Sequence, residues 1–258
     1  MTHASITAQP LAGWYVISLR PSGGHAALRR AAAVQGAGLI ALSPWRIETA
    51  DDASTVAALE AASATDIVIA TSPSAVRAAS VLRSFDARPG QRFIAVGEGT
   101  AAALRRAGIA DVETPARMDS EGVLALPALQ DVRGRAIGLL TAPGGRDRIA
   151  PALRERGARV LRADVYRRLP IALSKRGVRA LLELQAPAAL ALSSGEAFVR
   201  VVDALPSEAL AKLRRGVVTA ASDRLAGLAR EHGCQRIVIA NSARPRDLID
   251  AVARTCRD

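Results

Sequence analysis

The sequence predicts an α/β fold of two similar parallel-sheet domains, and three observations lead there. Short apolar runs alternate along the chain with alanine- and leucine-rich helical stretches, the pattern of strands buried on both faces and joined by crossover helices. The stretch YVISLRPSGGHAALRRAAAVQGAGLIALSPWR lies on IGLLTAPGGRDRIAPALRERGARVLRADVYRR with nearly constant spacing, setting Pro21 on Pro143, Gly36 on Gly157 and Trp45 on Tyr166. A second pair, DIVIATSPSAVRAAS and AALALSSGEAFVRVV, keeps the same displacement and sets Ser72 on Ser194. A period this long is not that of a solenoid, and 258 residues are enough for two ordinary domains.

Taken in order, the strand candidates are WYVISL (14–19), GLIAL (38–42), DIVIAT (66–71), RFIAVG (92–97), AIGLLT (136–141), RVLRADVY (159–166), AALALS (188–193), GVVTA (216–220) and RIVIA (236–240). Between them, helices are predicted over 23–35, 74–83, 100–107, 120–129, 146–156, 196–204, 222–232 and 245–254. In such a fold the functional residues belong in the turns at the carboxyl ends of the strands. The segments LSPWRIE (42–48) and DVYRRLP (164–170) occupy equivalent places, each with proline and arginine beside an aromatic residue. They mark two crossings between domains: a discontinuous first domain of 1–43 plus 170–258, an inserted second domain of 48–163, and hinge segments 44–47 and 164–169 around an active cleft.

Composition excludes several classes. With 50% hydrophobic residues, mean hydropathy +0.16 and no apolar tract near membrane-spanning length, the chain reads as globular, with no membrane partner. The start, MTHASITAQP, lacks the pattern of a secretory signal, so a cytoplasmic location is expected. Cys234 and Cys256 are too few and too unpatterned for a metal site or a disulfide framework. The net charge of +11 is almost all arginine, since Lys175 and Lys212 are the only lysines. Biased composition explains part of it, and the basic residues neither cluster nor interleave with aromatics as a nucleic-acid surface would. A small polyanionic ligand suits arginine forks better.

The stretches SLRPSG, DIVIATSPSAVRA, FIAVGEGTAAALRRAGI, SEGVLALPAL, LLTAPGGRDRIAPALRERGARVLRADVYRR and LALSSGEAF occur in the order and spacing of the uroporphyrinogen-III synthase family, which the chain resembles from about Val16 to Ala251. The resemblance implies an enzyme of haem biosynthesis that closes hydroxymethylbilane to uroporphyrinogen III, inverting the last pyrrole ring and releasing water. It implies no metal and no organic cofactor, and a monomer is expected. Substrate and product are polycarboxylates, which exposed amides at helix N-termini and arginines would suit.

The motif positions then acquire roles. Thr71 and Ser72 either cap a helix or bind an acetate or propionate group of the substrate, and Ser193 and Ser194 mirror them in the other half. Gly97 permits close backbone approach, while Thr100 is either an N-cap or a hydroxyl donor to substrate. Arg20 and Arg146 follow strands and are either solvated or carboxylate clamps. Tyr166 either ends a strand with its ring on the core or, as the resemblance implies, acts as the catalytic group. A phenol can hydrogen-bond to or protonate the hydroxide that leaves the first ring's methylene carbon, giving an azafulvene cation. Attack by the substituted carbon of the last ring gives a spiro intermediate that fragments and recloses inverted. Unassisted closure gives the symmetric isomer I, so the protein's main task is geometric.

Some residues depart from the family pattern: Ser74 stands where asparagine is common, AASDRLAGLA replaces a threonine-alanine pair near Ser222, and Trp45 occupies the other crossing. GEGTAA (97–102) fits a dinucleotide fingerprint, but no acidic residue ends a following strand at the expected distance. His3, His25 and His232 lack the sequence context of a catalytic base, and LSSGE lacks the first glycine of a nucleophile elbow. The alternative to an enzyme is a two-domain binding or regulatory module that holds a polyanion without turnover.

Overall fold

In the computed structural model, residues 9–144 and 147–255 are described. The chain forms two compact units, Met1–Arg46 with Leu169–Asp258 (unit 1) and Ile47–Arg168 (unit 2).

Unit 1 opens with β1 (Tyr15–Ser18), α1 (Ala26–Val34) and β2 (Gly38–Ala41), after which β3 (Trp45–Thr49) carries the chain into unit 2. Helix α1 starts later than its alanine-rich pattern predicts because Gly23 takes a left-handed backbone, φ 78°, which a helix cannot include. Unit 2 runs α2 (Ala53–Ser63), β4 (Ile67–Ala70), α3 (Pro73–Leu82), β5 (Arg92–Ala95), α4 (Glu98–Arg106), α5 (Ser120–Leu124), β6 (Ala136–Thr141), α6 (Ile149–Glu155) and β7 (Arg159–Asp164). The predicted helix over 120–129 breaks into α5 and a short 3-10 turn at Pro127–Leu129, since proline disfavours helix in the residue before it. Strand β8 (Tyr166–Pro170) pairs with β3 in a two-stranded ribbon, so the predicted strand 159–166 is two strands divided at Val165. The chain then completes unit 1 with α7 (Lys175–Glu183), β9 (Ala188–Leu192), α8 (Gly195–Ala204), α9 (Ser207–Arg215), β10 (Val217–Ala220), α10 (Asp223–Glu231), β11 (Ile237–Ile239) and α11 (Pro245–Thr255).

Both sheets are wholly parallel, in the orders β11-β10-β9-β1-β2 and β5-β4-β6-β7. The internal echo is visible in them, for β10-β9-β1-β2 corresponds to β5-β4-β6-β7. Where unit 1 adds β11, unit 2 has, among the described residues, an isolated parallel bridge of Ile94 with Glu113. Gly36 and Gly157, set on each other by the sequence, both end helices with left-handed backbones, φ 85° and 83°.

Alternation along the strands of unit 2 feeds two cores. Val68, Ala70 and Leu140 face Leu59, Val76 and Leu104 of α2, α3 and α4; Ile67, Ile69 and Leu139 face Val123 of α5 and Leu153 of α6. Burial on both faces explains the continuous apolar runs in the sequence. Because the strands of each of these two sheets are parallel, each sheet presents its carboxyl ends along one edge, and Arg20, Thr71, Ser72, Gly97, Ser193 and Ser194 follow strands there.

Candidate functional site

At the carboxyl edge of unit 2, a pocket of about 180 Å³ is lined by Thr71, Ser72, Thr141, Arg148, Tyr166 and Arg168, among others. Tyr166 is 4% exposed. Its ring belongs to the core that includes Val76 and Leu104, while its hydroxyl lies 3.3 Å from that of Ser72. The expected packing of the ring on the core is found, but Tyr166 opens β8 rather than ending a strand, and it also lines the pocket.

Ser72 is the N-cap of α3 and accepts a hydrogen bond from the Ala75 amide at 3.0 Å. Thr71 does not cap. Its hydroxyl donates to the Leu140 carbonyl at 3.2 Å and lies 3.0 Å from the Thr141 hydroxyl, fixing the end of β4 to that of β6. Gly97, not Thr100, is the N-cap of α4, so the N-cap reading of Thr100 is corrected. Thr100 sits in the first helical turn, 4% exposed, with its amide donating to the Gly97 carbonyl. Gly97 has an extended backbone, and a Cβ there would meet only Met118 at ordinary contact distance. Nothing in the fold requires glycine at this position. Arg146 lies outside the described residues; beside it, Asp147 has a left-handed backbone, φ 36°.

Arg162 holds that region in place. It donates from Nε to both Asp164 oxygens at 3.1 and 3.0 Å, from one terminal nitrogen to Asp147 at 2.6 Å, and from the other to the Ala142 carbonyl at 3.2 Å. These partners, with Asp164 foremost, raise its pKa above the ordinary value. Arg148 pairs with Glu121 of α5 at 3.1 Å. The sequence reading missed Thr141, Arg148, Arg162 and Arg168. The alternating Arg162 and Asp164 at the end of a strand were the available signal for part of this network.

In unit 1 the carboxyl edge carries Arg20, Ser193 and Ser194. Ser194 caps α8, accepting from the Ala197 amide at 3.3 Å, as Ser72 caps α3. Burial pushes the Arg20 guanidinium below its ordinary pKa, yet an arginine stays charged, and Arg20 forms no ion pair among the described residues. Beside it, His25 lies between two serine hydroxyls, with Nδ1 2.8 Å from Ser18 and Nε2 2.8 Å from Ser43. The sequence reading set His25 aside; no local motif marks its partners, which lie seven and eighteen residues away.

Two α/β units, each built on a parallel sheet with hydroxyls, arginines and helix N-termini along its carboxyl edge, define the class of open α/β proteins, in which strand ends are suited to anionic ligands. Comparison with known proteins gives the family. The family model described as uroporphyrinogen-III synthase HemD matches residues 26–250, and the chain belongs to that family, which acts on hydroxymethylbilane in tetrapyrrole biosynthesis. A uroporphyrinogen-III synthase of Salmonella typhimurium is 33% identical over 186 residues, 69% of this chain and 74% of that protein. Two solved structures share the fold: uroporphyrinogen III synthase of Thermus thermophilus, in a mutant form, has a TM-score of 0.58 at 22% identity, covering 95% of this chain and 99% of that one. The synthetase of Helicobacter pylori also scores 0.58, at 15% identity and the same coverage. Among the described residues, no helix is long and apolar enough to cross a membrane.

Proposed function

We propose that this protein closes hydroxymethylbilane to uroporphyrinogen III with inversion of the last ring, and that Tyr166 assists departure of the hydroxide. The observation that carries the reading is the placement of the Tyr166 phenol in a pocket beside Ser72. A neutral phenol donates a hydrogen bond to a leaving hydroxide and can pass it a proton. The packed ring holds that donor still, so little reorganisation is needed when charge develops.

Binding is assigned to groups on both carboxyl edges. In unit 2, Thr71, Ser72 and the N-terminus of α4 at Gly97 and Thr100 take substrate carboxylates, with Arg146 as a further clamp. In unit 1, Arg20, Ser193 and Ser194 do the same. A partly desolvated guanidinium with no acidic partner among the described residues is suited to a carboxylate, because ligand binding replaces the solvation it has lost. In this reading the segments 44–47 and 164–169 are the hinge, and the enzyme acts as a cytoplasmic monomer.

The test is to supply fresh hydroxymethylbilane with and without the purified protein and no added cofactor, oxidise the products, and separate uroporphyrin isomers I and III. Mostly isomer III with protein, against isomer I without it, is the expected result. Isomer I in both overturns the reading and leaves a binding module.

A further inference from the structure

Each unit ties the turn after β1 or β6 to the end of the neighbouring strand, and the two do so with different chemistry. The displacement that relates the halves sets His25 on Asp147 and, with the same one-residue slip that sets Trp45 on Tyr166, Ser43 on Asp164. In unit 2 the tie is ionic, through Arg162. In unit 1 it is the chain Ser18, His25, Ser43, both contacts at 2.8 Å. Ser18 is fully buried at the end of β1, and Ser43 is half-buried beyond the end of β2.

A neutral imidazole carries one N–H and one lone pair, so one serine donates to the ring and the other accepts from it. Burial, with Arg29 and then Arg20, pushes the His25 pKa down, which keeps the bridge neutral. The turn enclosed between Ser18 and His25 carries Arg20. Two backbone bonds fasten it further: the Ser22 amide donates to the Trp45 carbonyl at 3.0 Å, and the Gly24 amide to that of Pro21 at 2.8 Å. A left-handed Gly23 gives the turn its sharp return. The backbone already joins the ends of β1 and β2, the Leu42 amide donating to the Ser18 carbonyl at 2.9 Å, and the imidazole adds a side-chain link from Ser18 to Ser43 across the turn.

We propose that His25 is a positioning residue for substrate binding: by bridging Ser18 and Ser43 it holds the turn at 19–24 in the arrangement that presents Arg20 to a substrate carboxylate. The inference rests on the reading of Arg20 given above. It goes beyond that reading in assigning a role to a histidine that itself need not touch substrate.

The experiment compares kcat and KM for hydroxymethylbilane in His25→Phe, His25→Gln, Arg20→Ala and the double variant His25→Phe with Arg20→Ala. Phenylalanine keeps the ring's bulk and loses both hydrogen bonds, so KM is expected to rise about fivefold with kcat within about twofold. Glutamine, which can still bridge hydroxyls, recovers part of the loss. Added to Arg20→Ala, His25→Phe raises KM no further, because it acts through Arg20. Multiplying effects in the double variant, or a fall in kcat with KM unchanged, overturn the inference. Should His25→Phe not fold, Ser43→Ala is expected to raise KM in the same direction, and an unchanged KM there overturns it. If Arg20→Ala raises KM while His25→Phe does not, this inference alone fails; if Arg20→Ala leaves KM unchanged, the binding role of Arg20 fails and takes this inference with it.

Discussion

In unit 2, Ser72 caps α3 and its hydroxyl also lies 3.3 Å from the Tyr166 phenol. In unit 1, Ser194 caps α8 in the same way, but the residue corresponding to Tyr166 is Trp45. The shared cap is a property of the repeated strand, turn and helix unit, required to satisfy an amide at the helix start. It would be there whatever the protein did. What differs between equivalent positions is more informative: a phenol at the pocket in one unit, and a partly desolvated arginine with a histidine bridge in the other. In the function proposed above, the chemical step falls to the unit 2 edge and a share of carboxylate binding to the unit 1 edge.

The largest expected effect tests the scaffold under that comparison. Each unit brings a helix against its sheet at a glycine. A Cβ on Gly138 of β6 would overlap the Ala62 carbonyl oxygen at the end of α2, and one on Gly177 of α7 would overlap that of Ala41 at the end of β2. Gly138→Ala is expected to cost about 3 kcal/mol through backbone displacement, lowering the melting temperature by roughly 6–12 °C. An unchanged melting curve would show that α2 can retreat from the sheet without loss.

Next in size is Tyr166→Phe, expected to lower kcat about a hundredfold, or about 2.7 kcal/mol of barrier, with the protein still folded because the ring continues to pack. Arg20→Ala sharpens the contrast from the other edge: KM should rise about tenfold while kcat changes little. If the two variants moved the same kinetic constant, the division of labour between the edges would be wrong.

Two smaller effects depend on pH. Because the folded His25 pKa lies below its ordinary value, the unfolded chain takes up that proton first, and stability falls as pH drops below about 6.5. His25→Phe should flatten that part of a melting-temperature profile. In unit 2, Asp52 caps α2 by accepting from the Thr55 amide at 3.0 Å, and hydrogen bonds from Ser54 and Thr55 lower its pKa to about 2. Its contribution is present above the ordinary carboxylate range and is lost as pH falls through about 2. Asp52→Ala should therefore melt a few degrees lower at pH 7, the gap closing in acid.

Much of this was legible in the sequence because strands buried on both faces are continuous apolar runs, and because the repeat leaves glycines and serines at matching places. Helices α2, α7 and α9 were not among the predicted elements. In α2, alanines lie on every side of the helix and leave little periodicity, although Asp52 ahead of Ser54 and Thr55 was a capping signal. Strands β3 and β8, WRIET and YRRLP, carry too many charges to read as strands. They pair with each other rather than joining a buried sheet. At the site, hydroxyls at strand ends could be anticipated from local motifs. The His25 bridge could not be, since its partners lie seven and eighteen residues away and only the parallel register of β1 and β2 brings them together.

The most direct test of the account is a single-turnover experiment with enzyme in excess of hydroxymethylbilane, following both rate and isomer composition for the native protein and Tyr166→Phe. The account predicts rapid formation of isomer III by the native protein, and a rate about a hundredfold lower for Tyr166→Phe with isomer III still the enzymatic product, because the phenol assists departure of hydroxide while the rest of the site sets the geometry of closure. A Tyr166→Phe rate equal to the native one would contradict the assignment of the chemical step to the unit 2 edge.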